Sequence, residues 1–439
     1  MKIPVAYTKR TKREIGVSYD EYGMPYTEIV NEKGEIKSIF EEEPRKRVTL
    51  PIEINVKFLH ETRLLRNSSL LPLLPFFQDL PKNYSVRKGK KVERIKVEKL
   101  IIGGGTSGLA ALDNKSLLIT RELFGDILFD TSSEILTKLK EKAKTYSERI
   151  LYGNYLGKFD EGILIELEGS FILVNAEKII VATGGRTLKP IFKGNWEPGV
   201  VSREFYLRRL KGEKGLILVL GFNDLAVKTA LHAEKAVILA PKHVDFHFSP
   251  YYKEIVNEKG IELIKDYILE VVRKGERLVV NTESKSYEAS LIVFSVLKQP
   301  RIEVSASLGA PYIYENHIYK PLRSENIYFT GGMLGIIDEN LSYLSGENPE
   351  EEIKNEAYSF QGSPYYYGSN GLVCECEEVW LEDIKYAKSL GLSDTESVKR
   401  VTGLGTGKCQ GKACVIQASD YLGSTTLISF RSPIYPVRL

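Results

Sequence analysis

The sequence predicts an α/β protein with two dinucleotide-binding domains, followed by a small helical domain that carries cysteines. Three observations support this fold class. Two segments, starting at Val97 and Gly215, each combine an apolar strand, a turn and a helix start, which is the order of a dinucleotide-binding unit. The third observation is that all four cysteines lie between Cys374 and Cys414. A cluster of this kind near one end of a chain indicates a separate metal-binding or redox module.

The totals exclude several classes of protein. The chain has 439 residues, 43% of them hydrophobic, and a net charge of only +3, so it lacks the basic excess of a dedicated nucleic-acid binder. No apolar run reaches the roughly 18 residues of a membrane span, and the first residues lack the apolar centre of a signal peptide. We therefore expect a cytoplasmic protein in which the cysteines remain reduced.

Changes in pattern along the chain predict four regions and a linker. Residues 346–367 are polar and aromatic, and we interpret them as the linker before the cysteine domain. The regions are a strand-rich leader (1–96), a first dinucleotide domain (97–200 and 300–346), an inserted second Rossmann-like domain (201–299), and a cysteine domain with a C-terminal tail (370–439).

The first glycine turn follows the strand KLII and has the pattern G-x-G-x-x-G, formed by Gly103, Gly105 and Gly108. The first glycine permits a tight turn, the second allows the backbone to approach a pyrophosphate, and the third allows close helix–strand packing. The alternative is a tight turn with a purely structural role. Because a strand precedes the turn and a helix start follows it, we favour a nucleotide site.

The next strand, SLLIT, does not end in the acidic residue that commonly binds ribose hydroxyls. Arg121 stands there instead, and Glu122 follows two residues late. Arginine favours phosphate, so the nucleotide remains open between FAD, NAD and ATP. The predicted cofactor-binding residues lie on this turn and on neighbouring strand ends: Gly103, Gly105, Thr106, Ser107, Gly108, Arg121, Glu122, Thr183, Gly184, Gly331 and Gly332.

The second unit has a weaker signature, because Gly221, Asn223 and Ala226 stand at the three glycine positions. Its second strand, AVILAP, also ends without an acid. A structural Rossmann unit is therefore the favoured interpretation, and a second nucleotide is the alternative.

The cysteines follow the pattern C-x-C, 32 intervening residues, and C-x4-C. Four thiolates are the ligand set of a [2Fe–2S] cluster, which we predict on Cys374, Cys376, Cys409 and Cys414. Structural zinc is the main alternative, although zinc sites usually present C-x2–4-C. Disulfides fit a reducing compartment poorly. Between the pairs we expect a helix ending at Gly391, a second one ending at Gly403, and a third starting at Cys414.

No catalytic acid or base is predicted. The five histidines show no triad or metal-ligand spacing, and HVDFHF is interpreted as an ordinary strand.

Taken together, residues 90–439 resemble the α subunits of heteromeric, flavin-dependent amino-acid oxidoreductases. Members of this family include tetrameric sarcosine oxidase, dye-linked proline dehydrogenase, and octopine, hydroxyproline and hydrogen-cyanide-forming dehydrogenases. The resemblance is carried by five segments: GGGTSGLAAL, ATGGRTLKPIFKGNWEPGVV, GFNDLAVKTA, CECEE with CQGKAC, and SFRSPIYPVRL. It implies a pyridine nucleotide-disulfide oxidoreductase-like flavoprotein fold with a C-terminal [2Fe–2S] domain.

The resemblance also implies a division of labour between subunits. An FAD-containing β subunit would oxidise the C–N bond of an imino or N-methyl amino acid, with a further small subunit in some complexes. The α subunit would bind an adenine nucleotide, contribute to an FMN site shared with its partner, and pass electrons onward. The expected function is therefore that of an electron-transfer subunit that is not competent alone.

This chain departs from the family pattern in three ways. Its first 96 residues contain no cysteine, its first crossover is short, and the strand ending at Thr330 lacks the flavin-binding Asp of the fold. Two alternatives therefore stay open: a stand-alone NAD(P)H-dependent flavoprotein reductase, and a scaffold with a structural nucleotide and zinc.

Overall fold

The computed structural model describes residues 5–7, 11, 13–19, 92–129, 133–353, 360–407 and 409–435. Most of the predicted leader, 1–96, lies outside these residues. The strands, in chain order, are β1 (Val5–Tyr7), β2 (Glu14–Gly16), β3 (Val92–Gly104), β4 (Ser116–Leu123), β5 (Ile150–Phe159), β6 (Gly162–Leu167), β7 (Ser170–Val181), β8 (Gly185–Thr187), β9 (Val200–Ser202), β10 (Leu216–Leu220), β11 (Lys235–Ala240), β12 (Glu262–Lys265), β13 (Ile268–Lys274), β14 (Arg277–Thr282), β15 (Ser286–Ala289), β16 (Leu291–Phe294), β17 (Lys298–Pro300), β18 (Tyr312–Glu315), β19 (Ile318–Pro321), β20 (Ile327–Phe329), β21 (Leu372–Cys374) and β22 (Val379–Trp380).

The helices are mostly short. Helix α3 continues as a π-helical turn over Tyr206–Leu210. In chain order the α-helices are α1 (Thr106–Ala110), α2 (Ser133–Thr145), α3 (Arg203–Phe205), α4 (Asp224–Ala230), α5 (Pro250–Lys259), α6 (Ile302–Ser307), α7 (Glu339–Glu347), α8 (Leu381–Ser389), α9 (Thr395–Thr402) and α10 (Cys414–Leu422).

The first domain is built on a six-stranded sheet with the order β20-β7-β3-β4-β5-β6. The first five strands run parallel to their neighbours, whereas β6 pairs antiparallel with both β5 and β7. Strand β3 begins at Val92, five residues before the predicted start, because its first half alternates between exposed and half-buried positions. Its second half, Leu100–Ile102, is buried in the centre of the sheet.

The second domain contains a five-stranded parallel sheet with the order β12-β11-β10-β16-β9. A three-stranded antiparallel sheet, β13-β14-β15, adjoins it. Strand β10, helix α4 and strand β11 form the predicted strand–turn–helix–strand unit. In open α/β sheets, ligands bind at the carboxyl ends of the parallel strands. In the second domain, the loops at these ends face the first domain.

The cysteine domain follows the predicted order of helices. Helix α8 stops before Gly391, and α9 starts at an Asp394 cap whose carboxylate accepts the Ser397 N–H at 2.9 Å. Helix α9 ends at Gly403, which adopts the left-handed conformation typical of helix ends. Helix α10 starts at Cys414, as the sequence predicts.

One apolar core joins the second domain to the cysteine domain. It extends from Phe294 through Tyr365 and Tyr367 to Val415 on α10. The interpretation of 346–367 as a linker is therefore wrong at its end. Tyr365 and Tyr367 are fully buried, and the Ile191 N–H donates to the Tyr365 carbonyl at 2.8 Å. Burial of these aromatic rings outweighs the polar composition of the surrounding segment.

Candidate nucleotide and cysteine sites

A cavity of about 240 Å³ lies at the carboxyl ends of β3 and β4, beside the second domain. Nine of the eleven predicted cofactor residues line it: Gly103, Gly105, Thr106, Ser107, Arg121, Glu122, Thr183, Gly184 and Gly332. Sequence motifs scattered over more than two hundred residues are thus brought to one wall, because parallel strands present their carboxyl ends at the same edge.

The glycine turn has the geometry that its pattern predicts. A Cβ on Gly103 would lie 2.4 Å from the Ala182 carbonyl oxygen, and a Cβ on Gly108 would lie 1.9 Å from that of Gly103. Gly105 faces open space, with no heavy atom within 4 Å of an added Cβ. Gly108 allows the helix to pack closely against the turn, and Gly105 leaves room for a ligand. The helix that follows, α1, has only five residues.

Gly108 and Gly331 do not line the cavity, although both were predicted to bind the cofactor. Gly331 instead lies against Ser107, since an added Cβ would meet the Ser107 Oγ at 2.5 Å. Both glycines therefore support the turn by allowing close backbone packing.

Glu122 and Asp126 belong to a charged network that the second domain completes. Arg208 pairs with the Glu122 carboxylate, and Lys298 pairs with Asp126. Burial raises the pKa of Glu122, with Arg208 opposing it. Burial alone would also raise the pKa of Asp126, but Lys298, Arg203 and Arg208 hold it well below its ordinary value. Glu122 therefore lines the cavity, but an arginine already engages its carboxylate.

Three further cavity residues, Glu204, Arg301 and Tyr435, were not predicted as cofactor-binding residues. Glu204 enters from α3, Arg301 from the segment after β17, and Tyr435 from the C-terminal tail. The Arg121 guanidinium lies 5.9 Å from the centre of the Tyr435 ring, which is cation–π distance. Contacts between distant segments bring Glu204, Arg301 and Tyr435 to the cavity, and spacing along the chain does not reveal such contacts.

The second glycine turn is occupied by its own side chains. The Asn223 side-chain oxygen Oδ1 accepts the Leu225 N–H at 3.2 Å, and the side-chain Nδ2 donates to the Val296 carbonyl at 2.9 Å. Phe222 is fully buried, with its ring 5.1 Å from that of Phe360. This geometry supports the structural interpretation of the second Rossmann unit.

HVDFHF is not a strand, contrary to the prediction. The Val244 N–H donates to the Pro241 carbonyl at 2.9 Å and closes a turn, and His247 forms only an isolated bridge to Asn223. His317 pairs with the buried Asp420, a contact that spacing along the chain did not indicate.

The four cysteines lie together as free, buried thiols around a small cavity of about 20 Å³. The sulfur atoms of Cys376 and Cys409 are 3.7 Å apart, and the Cys414 thiol is hydrogen-bonded with Cys374 and Cys409. Within the described ranges, no group of three or more His, Cys, Asp or Glu side chains has an arrangement that could hold a single metal ion. The four thiols that line this cavity match the donor set of a [2Fe–2S] cluster.

Shared hydrogen bonds shift the pKa values of the Cys376, Cys409 and Cys414 thiols in different directions. Hydrogen bonds from the Cys376 and Cys414 thiols lower the pKa of Cys409 well below its ordinary value, aided by the Gly411 N–H and opposed by burial. The same sharing of hydrogen bonds raises the pKa of Cys376 and Cys414. Metal ligation requires thiolates, and the Cys409 thiol is already within hydrogen-bonding distance of the Cys376 and Cys414 thiols.

The N-terminal segment holds the acidic residues on either side of Cys376. The Ser18 hydroxyl donates to Glu375 at 3.1 Å, and Glu375 also pairs with the buried Lys189. The Thr11 hydroxyl and N–H donate to Glu378 at 2.6 and 2.9 Å. Thr11 and Ser18 thus hold the N-terminal segment against the Cys376 loop.

Comparison with known families decides the nature of the cysteine domain. Residues 372–424 match the model of the BFD-like [2Fe–2S] binding domain. This match supports an iron–sulfur cluster on the C-terminal domain. Comparison with curated protein sequences gave no match.

Comparison with solved structures concerns the fold. The chain is similar to L-proline dehydrogenase from P. horikoshii, with 20% identity over 81% of both chains and a TM-score of 0.63. Weaker matches include T. acidophilum thioredoxin reductase, with 14% identity over 57% of this chain and 95% of that chain and a TM-score of 0.44. Another is the bacillithiol disulfide reductase of Bacillus cereus, with 16% identity over 58% and 97% and a TM-score of 0.42.

The predicted fold class is confirmed. The chain has the α/β fold of pyridine nucleotide-disulfide oxidoreductase-like flavoproteins, with a small helical iron–sulfur domain near the C-terminus. No helix in the described residues combines the length and apolar character needed to cross a bilayer.

Proposed function

We propose that this chain is the electron-transfer α subunit of a multi-subunit, FAD-dependent amino- or imino-acid dehydrogenase or oxidase. In this proposal a partner flavoprotein oxidises the C–N bond of a sarcosine- or proline-like substrate. The fold likeness to L-proline dehydrogenase over most of both chains makes this substrate class the first to test. A cytoplasmic location and a shared FMN site are parts of the same proposal.

The observation that carries the proposal is the direct connection between the two sites. Gly185 lines the nucleotide cavity, and the next residue, Arg186, donates through Nη1 to the Lys412 carbonyl at 2.8 Å. Lys412 lies in the loop between Cys409 and Cys414, and its ammonium donates to the Cys409 carbonyl at 2.9 Å. Arg186 therefore connects the cysteine loop to a strand on the cavity wall, and in this proposal the cluster and the nucleotide would lie on the two sides of that contact.

In this proposal, the chain's own residues bind the cluster and the nucleotide and keep water away from the thiolates. A [2Fe–2S] cluster, when bound, supplies one-electron transfer. The four cysteines would ligate it, and the Gly411 N–H would stabilise negative charge on the Cys409 sulfur. Ser18, Lys189 and Glu375 would keep water from the thiolates, and the glycine turn would bind the nucleotide phosphates.

The alternative of a stand-alone NAD(P)H reductase requires a second nucleotide site. Asn223 caps α4 and Phe222 is packed among aromatic rings, so the turn has already satisfied the groups that would face a pyrophosphate. The structure therefore favours the α-subunit proposal. Zinc in place of iron is distinguished by metal analysis.

The experiment is to isolate the native complex anaerobically and identify the co-purifying subunits, iron and acid-labile sulfide. The proposal predicts a flavoprotein partner and an S = ½ electron paramagnetic signal that appears after addition of L-proline or sarcosine. The isolated chain should give no signal with these substrates. A signal from the isolated chain with NADH would support the reductase instead, and zinc without iron would overturn both redox functions.

A further inference from the structure

Glu204 is a buried carboxylate on the wall of the nucleotide cavity. Glu204 lies on α3 and is only 7% exposed. Its carboxylate oxygen Oε2 accepts a hydrogen bond from the Thr187 hydroxyl at 2.6 Å. Its other oxygen, Oε1, is buried and has no hydrogen-bond partner among the described residues. Glu204 shares the cavity wall with Gly184 and Gly185.

An unpaired buried carboxylate oxygen is costly. Leaving a buried acceptor unsatisfied costs about 1–3 kcal/mol, and more when the group is charged. Buried polar atoms therefore almost always have a partner, which can be a bound molecule. Because Glu204 lines a cavity large enough for part of a nucleotide, the missing donor is expected from the ligand.

The charge around Glu204 selects the part of the nucleotide that faces it. Asp126 lies on the same wall, and its carboxylate already pairs with Lys298 and lies 3.5 Å from Arg203. Phosphate oxygens cannot donate a hydrogen bond to Oε1 of Glu204. The carboxylates of Glu204 and Asp126 also repel the negative charge of a phosphate. An N–H group on a heterocyclic ring meets both requirements. The Leu225 side chain supplies apolar surface on the same wall.

We infer that Glu204 accepts a hydrogen bond from a ring N–H or amino group of the bound nucleotide and so fixes which end of the nucleotide faces the second domain. The donor is the imide N–H of a flavin or the amino group of an adenine. Glu204 thus supplies a polar anchor in a chain whose strand ending at Thr330 lacks the usual Asp. This inference rests on the proposed function only in taking a nucleotide as the ligand.

The test compares matched ligands that differ in one donor. The full chain, with its cluster, is titrated with FAD and N3-methyl-FAD, and separately with ATP and N6,N6-dimethyl-ATP, following protein or ligand fluorescence. A hydrogen bond to a charged group corresponds to about tenfold or more in affinity, so wild type should prefer one unmethylated ligand by about that factor. The pair that shows the preference identifies the ring.

The decisive comparison is the same ratio in Glu204→Leu and Glu204→Gln. Glu204→Leu should abolish the preference, and Glu204→Gln, which retains a neutral acceptor, should keep part of it. Glu168→Gln, at an exposed position, should behave as wild type. Each ratio is measured within one variant, so a general loss of stability cancels.

The inference is overturned if Glu204→Leu keeps the wild-type ratio for both ligand pairs, or if wild type binds none of the four nucleotides. Failure of the proposed function has a different signature. A chain that shows the Glu204-dependent ratio but contains no iron retains the nucleotide anchor and loses the electron-transfer role.

Discussion

Arg186 donates a hydrogen bond to the main-chain carbonyl of Lys412 across 226 residues of sequence, at 2.8 Å. The same guanidinium forms a fully buried ion pair with Glu303. A single side chain therefore connects β8, helix α6 and the cysteine loop. The relationship explains how a small helical domain is fixed to the nucleotide domain without a large sheet between them.

Removing one partner of the Arg186–Glu303 ion pair should lower the free energy of unfolding. Arg186→Met leaves the Glu303 carboxylate buried without its cation, and such single deletions cost about 3–5 kcal/mol. Denaturant unfolding of the chain measures this loss. The double variant Arg186→Met/Glu303→Leu removes the unpaired charge and should recover a large part of the stability. Equal losses in the single and double variants would contradict the pairing argument.

The same pair predicts a pH dependence of stability. Burial alone would raise the pKa of Glu303, but Arg186 outweighs it and the net direction is downward. A carboxylate with a lowered pKa in the folded state stabilises the fold above its unfolded pKa of about 4.3, and this contribution is lost as pH falls below that value. The gap in unfolding free energy between wild type and Glu303→Gln should therefore be constant from pH 7 to about pH 5 and shrink as the pH falls below about 4.3. A gap that is independent of pH would refute the assignment.

Sequence patterns predicted the elements whose signal is local. The first glycine turn and each of the three helices of the cysteine domain depend on residues within a few turns of one another, and each pair of cysteines forms a short motif of its own. The fold class followed from them because each strand–turn–helix unit has few ways to pack.

What the sequence did not reveal depends on distant contacts between charged or aromatic groups. Arg186, Glu204 and Lys189 are buried, although residues of these types are usually exposed, and no periodicity marks them. Tyr365 and Tyr367 lie in a polar segment that gives no indication of a core. Their partners are set by tertiary packing, which overrides local composition.

Two glycines of the first turn should respond differently to alanine. Gly105→Ala adds a methyl group to open space, so the unfolding free energy should stay within about 0.5 kcal/mol of wild type. Nucleotide affinity should fall because the methyl group projects where a pyrophosphate would approach. Gly108→Ala drives a Cβ against the Gly103 carbonyl and should destabilise the domain. Calorimetric titration with FAD and ATP, together with thermal unfolding, separates the two effects.

The N-terminal segment should protect the iron–sulfur site. Ser18→Ala removes a buried hydrogen bond to the Glu375 carboxylate, beside Cys376. Bonds to charged groups are worth about 1.5–3 kcal/mol, so local opening of this loop should become about tenfold more frequent, or more. The rate of iron release to a chelator measures this opening. Ser286→Ala, which removes a hydroxyl contact at an exposed position of β15, is the matched control and should release iron at the wild-type rate.

Gly407 should be required for cluster assembly. An added Cβ would lie 2.3 Å from the Cys376 Cβ and 3.2 Å from its sulfur, and a close-packed interior cannot absorb that overlap without moving the ligand. We expect Gly407→Ala to lose at least about half of its iron and sulfide, because overpacking of this kind costs about 1–3 kcal/mol and displaces one of four ligands. Thr406→Ala removes only an exposed hydroxyl bond to the Gly403 carbonyl in the same loop and should retain a full cluster. Nucleotide affinity measured on both variants reports whether the first domain is intact. Full iron content in Gly407→Ala would show that Cys376 is not held where the structure places it.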